Sequence, residues 1–573
     1  MIGGMEAEGN VKKELTLTAL ILGMLLAVVF GAANAYLGLR VGLTVSASVP
    51  AAVVSMAVLR FVLRRDSILE NNMVQTIGSA GESLAAGAIF TLPALYLWAE
   101  ERPLEFSVPE LLPITLIALA GGLLGVLLMV PLRRPLIVED KTLTYPEGLA
   151  CADVLKAGEA GAKHAMNVFA GLGVAAVVKV VTGGLKWIPE SFLWPVRVVR
   201  GAVGFDVSPA LIGVGYIVGP KVSALLFGGA MFGWMVLIPV LVATVPDAQA
   251  MWDAGNVKAI WRGYVRYVGA GAIAMGGFIS LVRSMPIFIR AFKRTPGAGD
   301  DRGAGGDAGR DLPMKIVAGC IACVVLFIWL VPAVPVSFTG ALLIALFGFF
   351  FATVSARMVG IVGSSNNPIS GMTIATLVVA TLVLRETGTV GAAGMVASIA
   401  IGSVVCIVAA IAGDTAQDLK TGRILGATPW KQQVGEIVGV SASALAIGGT
   451  LILLHRACGF GSDAISAPQA TLMKVIVEGI MDGGLPWAPI AGGVVLAVIL
   501  ALLRVQVMPV AIGMYLPVGL GVTMFVGGIV RWAVARKRGA DTASGEDTGT
   551  LLSAGLIAGE GLCGIILALV TLF

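Results

Sequence analysis

The 573 residues have a mean hydropathy of +0.94, with 57% hydrophobic and only 13% charged side chains, about half the charged share of an ordinary soluble chain. That composition excludes a soluble globular protein, and a net charge of +5 without a basic stripe excludes a nucleic-acid partner. Two histidines and six scattered cysteines supply no ligand set for a haem or zinc centre, so neither a metal nor an organic cofactor is expected.

Residues 1–14 form a short polar tail with Lys12 and Lys13, placed in the cytoplasm by the positive-inside rule. No small-residue cleavage site follows a short apolar core, so Leu15 onward reads as a retained span. Apolar runs able to cross about 30 Å of hydrocarbon fall near 15–37, 42–63, 73–98, 111–132, 166–185, 221–245 and 264–289. A Gly- and Asp-rich break at 295–313, flanked by Arg290, Lys293, Arg294 and Lys315, predicts a cytoplasmic linker. Further spans follow near 314–334, 338–359, 369–385, 389–412, 431–455, 487–505, 519–536 and 550–572. Four shorter apolar pieces, Tyr145–Lys156, Pro209–Gly219, Ala470–Met481 and Met508–Gly519, carry Gly or Pro and cannot cross alone. They predict broken or re-entrant helices lining a cavity, because irregular backbone cannot face lipid. The fold class is all-α: a polytopic integral membrane protein of the cell membrane, with about 14 to 16 transmembrane helices in its bilayer.

The chain also repeats itself. Phe30 to Leu59 matches Phe351 to Leu384, and Pro146-Glu147-Gly148 with Asp153 answers Val477-Glu478-Gly479 with Asp482, as if each acid headed a short helix. Gly215-Tyr216 leading to Gly228-Gly229 recurs as Met514-Tyr515 leading to Gly527-Gly528, and residues 270–274 recur at 554–558. Four matches in one order predict two duplicated halves, 15–294 and 314–573, the second including a connector helix at 314–334. Repeats with interrupted helices are the architecture of secondary transporters, whose sites lie where the repeats meet.

Acids within spans are costly, at about 2.5–3.5 kcal/mol each on insertion scales, and so mark function. Glu82 and Glu147 stand out, with Glu560, Lys179 and Lys221 read equally as ion-pairing or snorkelling groups. Asn71, Asn72 and Gln75 form an amide patch, and Asn366-Asn367 reads as either a second patch or turn chemistry. Asp414, Gln417 and Asp418 follow an apolar run at i, i+3, i+4 spacing, which would put all three on one helical face. Lys420 and Arg423 beyond them read as orientation charges. The Cys320/Cys323 pair within an apolar run reads as packing. There is no Gly-x-x-x-x-Gly-Lys-Ser/Thr loop, His-Glu-x-x-His or Gly-x-Ser-x-Gly elbow, so the chain is not expected to be an enzyme.

Asn34-Ala-Tyr36-Leu-Gly-Leu-Arg-Val-Gly-Leu-Thr44 and Glu70-Asn-Asn-Met-Val-Gln-Thr-Ile-Gly-Ser-Ala-Gly81 resemble the oligopeptide transporter family, on its prokaryotic and yellow stripe-like side. Tyr145-Pro-Glu-Gly148, Gly215-Tyr-Ile-Val-Gly-Pro220 and Gly413-Asp-Thr-Ala-Gln-Asp-Leu-Lys-Thr-Gly422 carry the same likeness, which runs from about Leu15 to the end. The chain departs from the family's peptide branch at Asn367-Pro368-Ile369, where that branch has Asn-Pro-Gly, and it lacks a Lys-Ile-Pro-Pro-Arg signature.

The resemblance implies a proton-coupled symporter of small oligopeptides, or alternatively of metal–chelate conjugates, working by alternating access with protons as the coupling ion. Candidates for proton coupling are Glu82, Glu147 and Asp414. Candidates for substrate contact are Asn34, Tyr36, Asn72, Gln75, Tyr145, Tyr216, Gln417, Asp418, Glu478 and Tyr515. A homodimer is a further expectation. A passive channel and an ion-pumping pyrophosphatase are the rival readings, the latter needing clustered Asp and Lys that only Asp414, Asp418 and Lys420 approach.

Overall fold

The computed structural model describes residues 14–572 apart from 43, 45, 66, 142, 157–160, 274, 277, 280–308, 365, 366, 368, 463, 483–486 and 539–547. Most of the proposed linker, from 295 to 308, therefore lies outside the described residues, as do residues 1–13 of the tail.

Two helix pairs set the frame. Thr16 caps α1 (Leu17–Val41) by accepting the Ala19 N–H, and the helix ends at Gly42 in the left-handed region, φ 75°, before α2 (Ser48–Ala57). Ser337 caps α14 (Phe338–Val362) in the same way, and that helix ends at Gly363, φ 84°, before a later helix starting at Ile369. Both first helices have 25 residues, and both stop where only glycine turns without strain.

The remaining elements of the first half are α3 (Ile68–Ile89), α4 (Pro93–Glu101), α5 (Leu111–Arg133), α6 (Pro146–Lys156), α7 (Gly161–Lys179) and α8 (Pro209–Phe232), then α9 (Ile238–Thr244), α10 (Pro246–Asp253), α11 (Val257–Ile260) and α12 over 266–273. Then come α13 (Met314–Leu330), α14, α15 (Ile369–Glu386), α16 (Gly391–Leu425), α17 (Pro429–Cys458), α18 (Pro468–Met481), α19 (Trp487–Leu502), α20 (Val507–Tyr515), α21 (Val518–Arg538) and α22 (Thr548–Leu572). Among the described residues, ten helices are long and apolar enough to cross a membrane, confirming an all-α multi-pass membrane protein. Of the other expected spans, α13 and α19 are shorter than a full span, the 42–63 run forms α2 and a widened turn at Val58–Val62, and much of the 264–289 run lies outside the described residues.

The centre belongs to α16, whose 35 residues are buried almost throughout. Helices α3, α5, α6, α14, α15 and α17 pack around it. A second group joins α8 to α20, α21 and α22, and α7 to α22, while α1 bridges the groups through α3, α17 and α22. Gly81 makes one of these approaches close: a Cβ there would lie 2.5 Å from the Ala27 Cα of α1.

Several expectations need correction, though not the interruption after Pro209–Gly219: α8 is broken in its helical backbone at Gly219 (φ 87°) before Pro220. Its counterpart is broken outright, α20 ending before Pro517 and α21 resuming after it. Glu147 does head α6, but Glu478 lies in the last turn of α18, so those two acids are not structural equivalents. Cys320 and Cys323 are exposed on α13. An antiparallel hairpin, β1 (Ser191–Val196) with β2 (Gly201–Asp206), stands between α7 and α8 where no strand was expected. Pro195 in β1 and Gly201 and Gly204 in β2 blur the strand signal.

Candidate functional site

The run of α3 from Leu69 to Ile89 is buried on every side, so its polar residues must find partners inside the protein. Ser79 donates to Asp414 Oδ2 at 2.6 Å and shares a 2.8 Å bond with Ser48. Gln75 Nε2 donates to Asp418 Oδ1 at 2.6 Å. Glu82, one turn further on, accepts from Asn34 Nδ2 of α1 through Oε1 and from the Ala47 N–H, at 3.2 Å, through Oε2. The polar stretch after the apolar part of α16 continues the same helix, and Asp414 and Asp418 both bond to α3, while Gln417 turns to α6 and α14.

Glu436 of α17 is a further buried acid in this region, with neither carboxyl oxygen in a hydrogen bond. Sequence reading missed it, although an acid four residues beyond Gln432 in an otherwise apolar span is the signal that singled out Glu82. Glu82, Asp414, Asp418 and Glu436 are at most 4% exposed. Among the described residues no lysine or arginine nitrogen lies within ion-pair distance of these four. Glu147 heads α6 nearby, beside Gly363 at the end of α14. A cavity of about 20 Å³, room for one water, opens on Glu82 and Asn34 between α1 and Ile557 of α22.

The structure separates the other candidates from this centre. Gln417 accepts from the Gly148 N–H at 2.8 Å and donates to Val359 O at 2.8 Å, so its amide holds α6 and α14 to α16 and is not turned to a ligand. Thr421 adds a 2.9 Å bond to Gly148 O. Glu478 accepts from Trp98 Nε1 at 2.6 Å at the edge of α18. The Tyr515 hydroxyl accepts from Arg266 at 2.7 Å, and Tyr216 lies under Arg531, both in the second helix group. Tyr36 has Lys179 above its ring. Tyr145 is fully buried at the entry to α6, with Lys420 over its ring. Asn72 is fully buried, and neither end of its amide has a hydrogen-bond partner. Asn367 donates to Ser355 at 2.7 Å, and Arg423 to Ile137 O. Asp153, Asp482 and Lys221 are exposed.

A Gly148→Ala variant tests this construction. Its new methyl would lie 2.5 Å from Gln417 O, prying α6 from α16 at about 1–3 kcal/mol. The expected result is a melting temperature several degrees lower for the detergent-purified protein, with Gln417→Ala destabilising by a comparable amount.

Residues 14–571 match the family model described as OPT oligopeptide transporter protein. The chain belongs to the oligopeptide transporter family. A Haemophilus influenzae protein named "Putative oligopeptide transporter" is 35% identical, across 93% of this chain and 92% of that protein. The Arabidopsis thaliana "Metal-nicotianamine transporter YSL3" is 22% identical across 81% of this chain and 75% of its own, and the Oryza sativa "Iron-phytosiderophore transporter YSL15" is 23% identical across 69% and 63%. Members of the oligopeptide transporter family are transporters and not enzymes.

Proposed function

We propose that this protein is a secondary active transporter that moves small oligopeptides across the cell membrane by proton-coupled symport, through alternating access. The observation that carries the coupling is the Glu82–Asp414 region: two carboxyl groups in the middle of the helix bundle, hydrogen-bonded by Asn34, Ala47 and Ser79 but with no cation beside them. Ionised acids are very costly to bury unpaired, so such groups rest in the protonated form and ionise when water reaches them. Taking up a proton on one side and releasing it on the other is what a symporter needs. Glu147 lines the same region from α6. Of the substrate candidates, Asn34 is hydrogen-bonded to Glu82 and Gln75 to Asp418.

The 35% relative favours peptides. Metal–chelate uptake is the second reading, supported by the likeness to the metal-nicotianamine transporter over most of both chains. Proteoliposomes holding the purified protein decide between them. Radiolabelled trialanine is expected to accumulate when the outside is made acidic, and ferric nicotianamine is not. Accumulation of the iron chelate alone would replace the peptide reading, and uptake indifferent to the pH gradient would overturn symport.

A further inference from the structure

We propose that a groove between α5 and α16 holds a phospholipid with a primary-ammonium headgroup, a phosphatidylethanolamine, with an acyl chain between the two helices and the ammonium on Glu110. The proposal stands apart from the transport reading above. The groove encloses about 450 Å³, within the range of about 300–1,000 Å³ usual for small-molecule sites. It is lined by Ile114 and Ile117 of α5, by Val396 and Ala400 of α16, and by Pro335 of the loop between α13 and α14. Measured from Leu111 and Gly391, where those helices begin, Ile117 and Ala400 lie about 9 and 14 Å along their axes. That depth and that lining suit hydrocarbon and not a hydrated solute.

The surroundings of the groove point to a lipid. Val108, Leu111 and Leu112 beside it, and Phe338 just beyond Pro335, are large apolar side chains exposed at the surface, as expected where a bilayer covers the protein. The polar residues that line the groove are Glu105, Ser107 and Glu110, and among the described residues no lysine or arginine does. Glu105 is taken by Arg102. Glu110 precedes α5 without capping it and has no ion-pair partner among the described residues. An unpaired carboxylate at the edge of an apolar groove attracts a cation and repels an anionic headgroup. A primary ammonium also donates a charge-assisted hydrogen bond, which a choline, having no N–H, cannot. Phe106 lines the groove and stacks on Trp98 with ring centroids 5.2 Å apart, and Trp98 donates to Glu478 of α18. A chain packed against Phe106 therefore braces the contact between α4 and α18, and filling the groove stabilises the fold.

Thermal unfolding and native mass spectrometry of the full chain, stripped of lipid in detergent, test the proposal. Palmitoyl-oleoyl phosphatidylethanolamine is expected to raise the melting temperature by several degrees, as a ligand of the folded state does, and to remain as one retained lipid per chain. The phosphatidylcholine with the same chains should do less, and the phosphatidylglycerol least. Glu110→Gln should cut the ethanolamine shift to the choline value. Ala393→Trp, which puts an indole into the groove from an exposed position, should remove the retained lipid. Equal shifts from all three lipids, or an ethanolamine shift untouched by Glu110→Gln, would overturn the proposal. A doubled mass that Ala393→Trp abolishes would overturn it in favour of a second copy of the chain, and a shift by trialanine lost in that variant would do so in favour of a peptide. If Ala393→Trp does not fold, the Glu110→Gln comparison decides alone. Uptake indifferent to a pH gradient would sink the proposed function and leave these shifts in place, so the two failures are distinguishable.

Discussion

Glu82→Gln and Asp414→Asn are each expected to reduce pH-gradient-driven uptake about tenfold or more, as expected for loss of a protonation step worth at least one pKa unit of coupling, without unfolding the protein. An amide has the shape of a carboxyl: Asp414→Asn keeps the bond from Ser79 through its oxygen, and Glu82→Gln keeps the bond from Asn34 while its NH2 faces the Ala47 N–H. It cannot gain or lose a proton. Because neither acid has a cationic partner, removing its capacity to ionise removes no ion pair, and the melting temperature should hold or rise. Counterflow exchange of labelled against unlabelled substrate, which needs no net proton movement, should survive better than gradient-driven uptake. Equal loss in both assays would mean that these acids bind substrate, and unchanged uptake would remove them from coupling.

Arg40→Gln should have the largest effect on stability. Arg40 ends α1 as a buried guanidinium, 2.8 Å from Glu560 of α22 and 3.5 Å from Asp206 of the hairpin. Glu560 also accepts from Ser208 and from the Ala210 N–H, both at 2.8 Å, at the start of α8. Burial pushes the Asp206 carboxyl above its usual range, and Arg40 holds it down. Removing the arginine strands two buried acids at a cost of about 3–5 kcal/mol, read as a large fall in melting temperature. The Arg40→Gln/Glu560→Gln pair should recover part of that loss, since coupled groups are not additive. A double variant no more stable than Arg40→Gln would show that Arg40 acts by packing alone.

How much of this could be read from the residues depends on the range of the interaction. Apolar runs and helical spacing are local, so the multi-pass fold, the kink at Gly219-Pro220 and the shared face of Asp414 and Asp418 were legible. Lys179 and Glu560 were recognised as ion-pairing or snorkelling groups, and both are paired, Lys179 with Glu190 at 2.6 Å. Their partners were not legible, because Glu190 and Arg40 approach only through tertiary packing. The commitment of Gln417 to two backbones hundreds of bonds away is equally invisible in one dimension. Glu436 was within reach of the rule used for Glu82, since it lies inside the apolar 431–455 run.

The uninterrupted length of α16 has a mechanical consequence. At 1.5 Å per residue its 35 residues make a rod of about 50 Å with no proline and no joint. Helices α8 and α20–α21, by contrast, are jointed at Gly219 and at Pro517. Any tilt begun where Asp414 and Asp418 meet α3 must therefore reappear, undiminished and opposite in sense about a central pivot, at the Gly391 end. Movement at these acids would act on the far end of the rod as a lever acts, with bending left to the helices that have hinges.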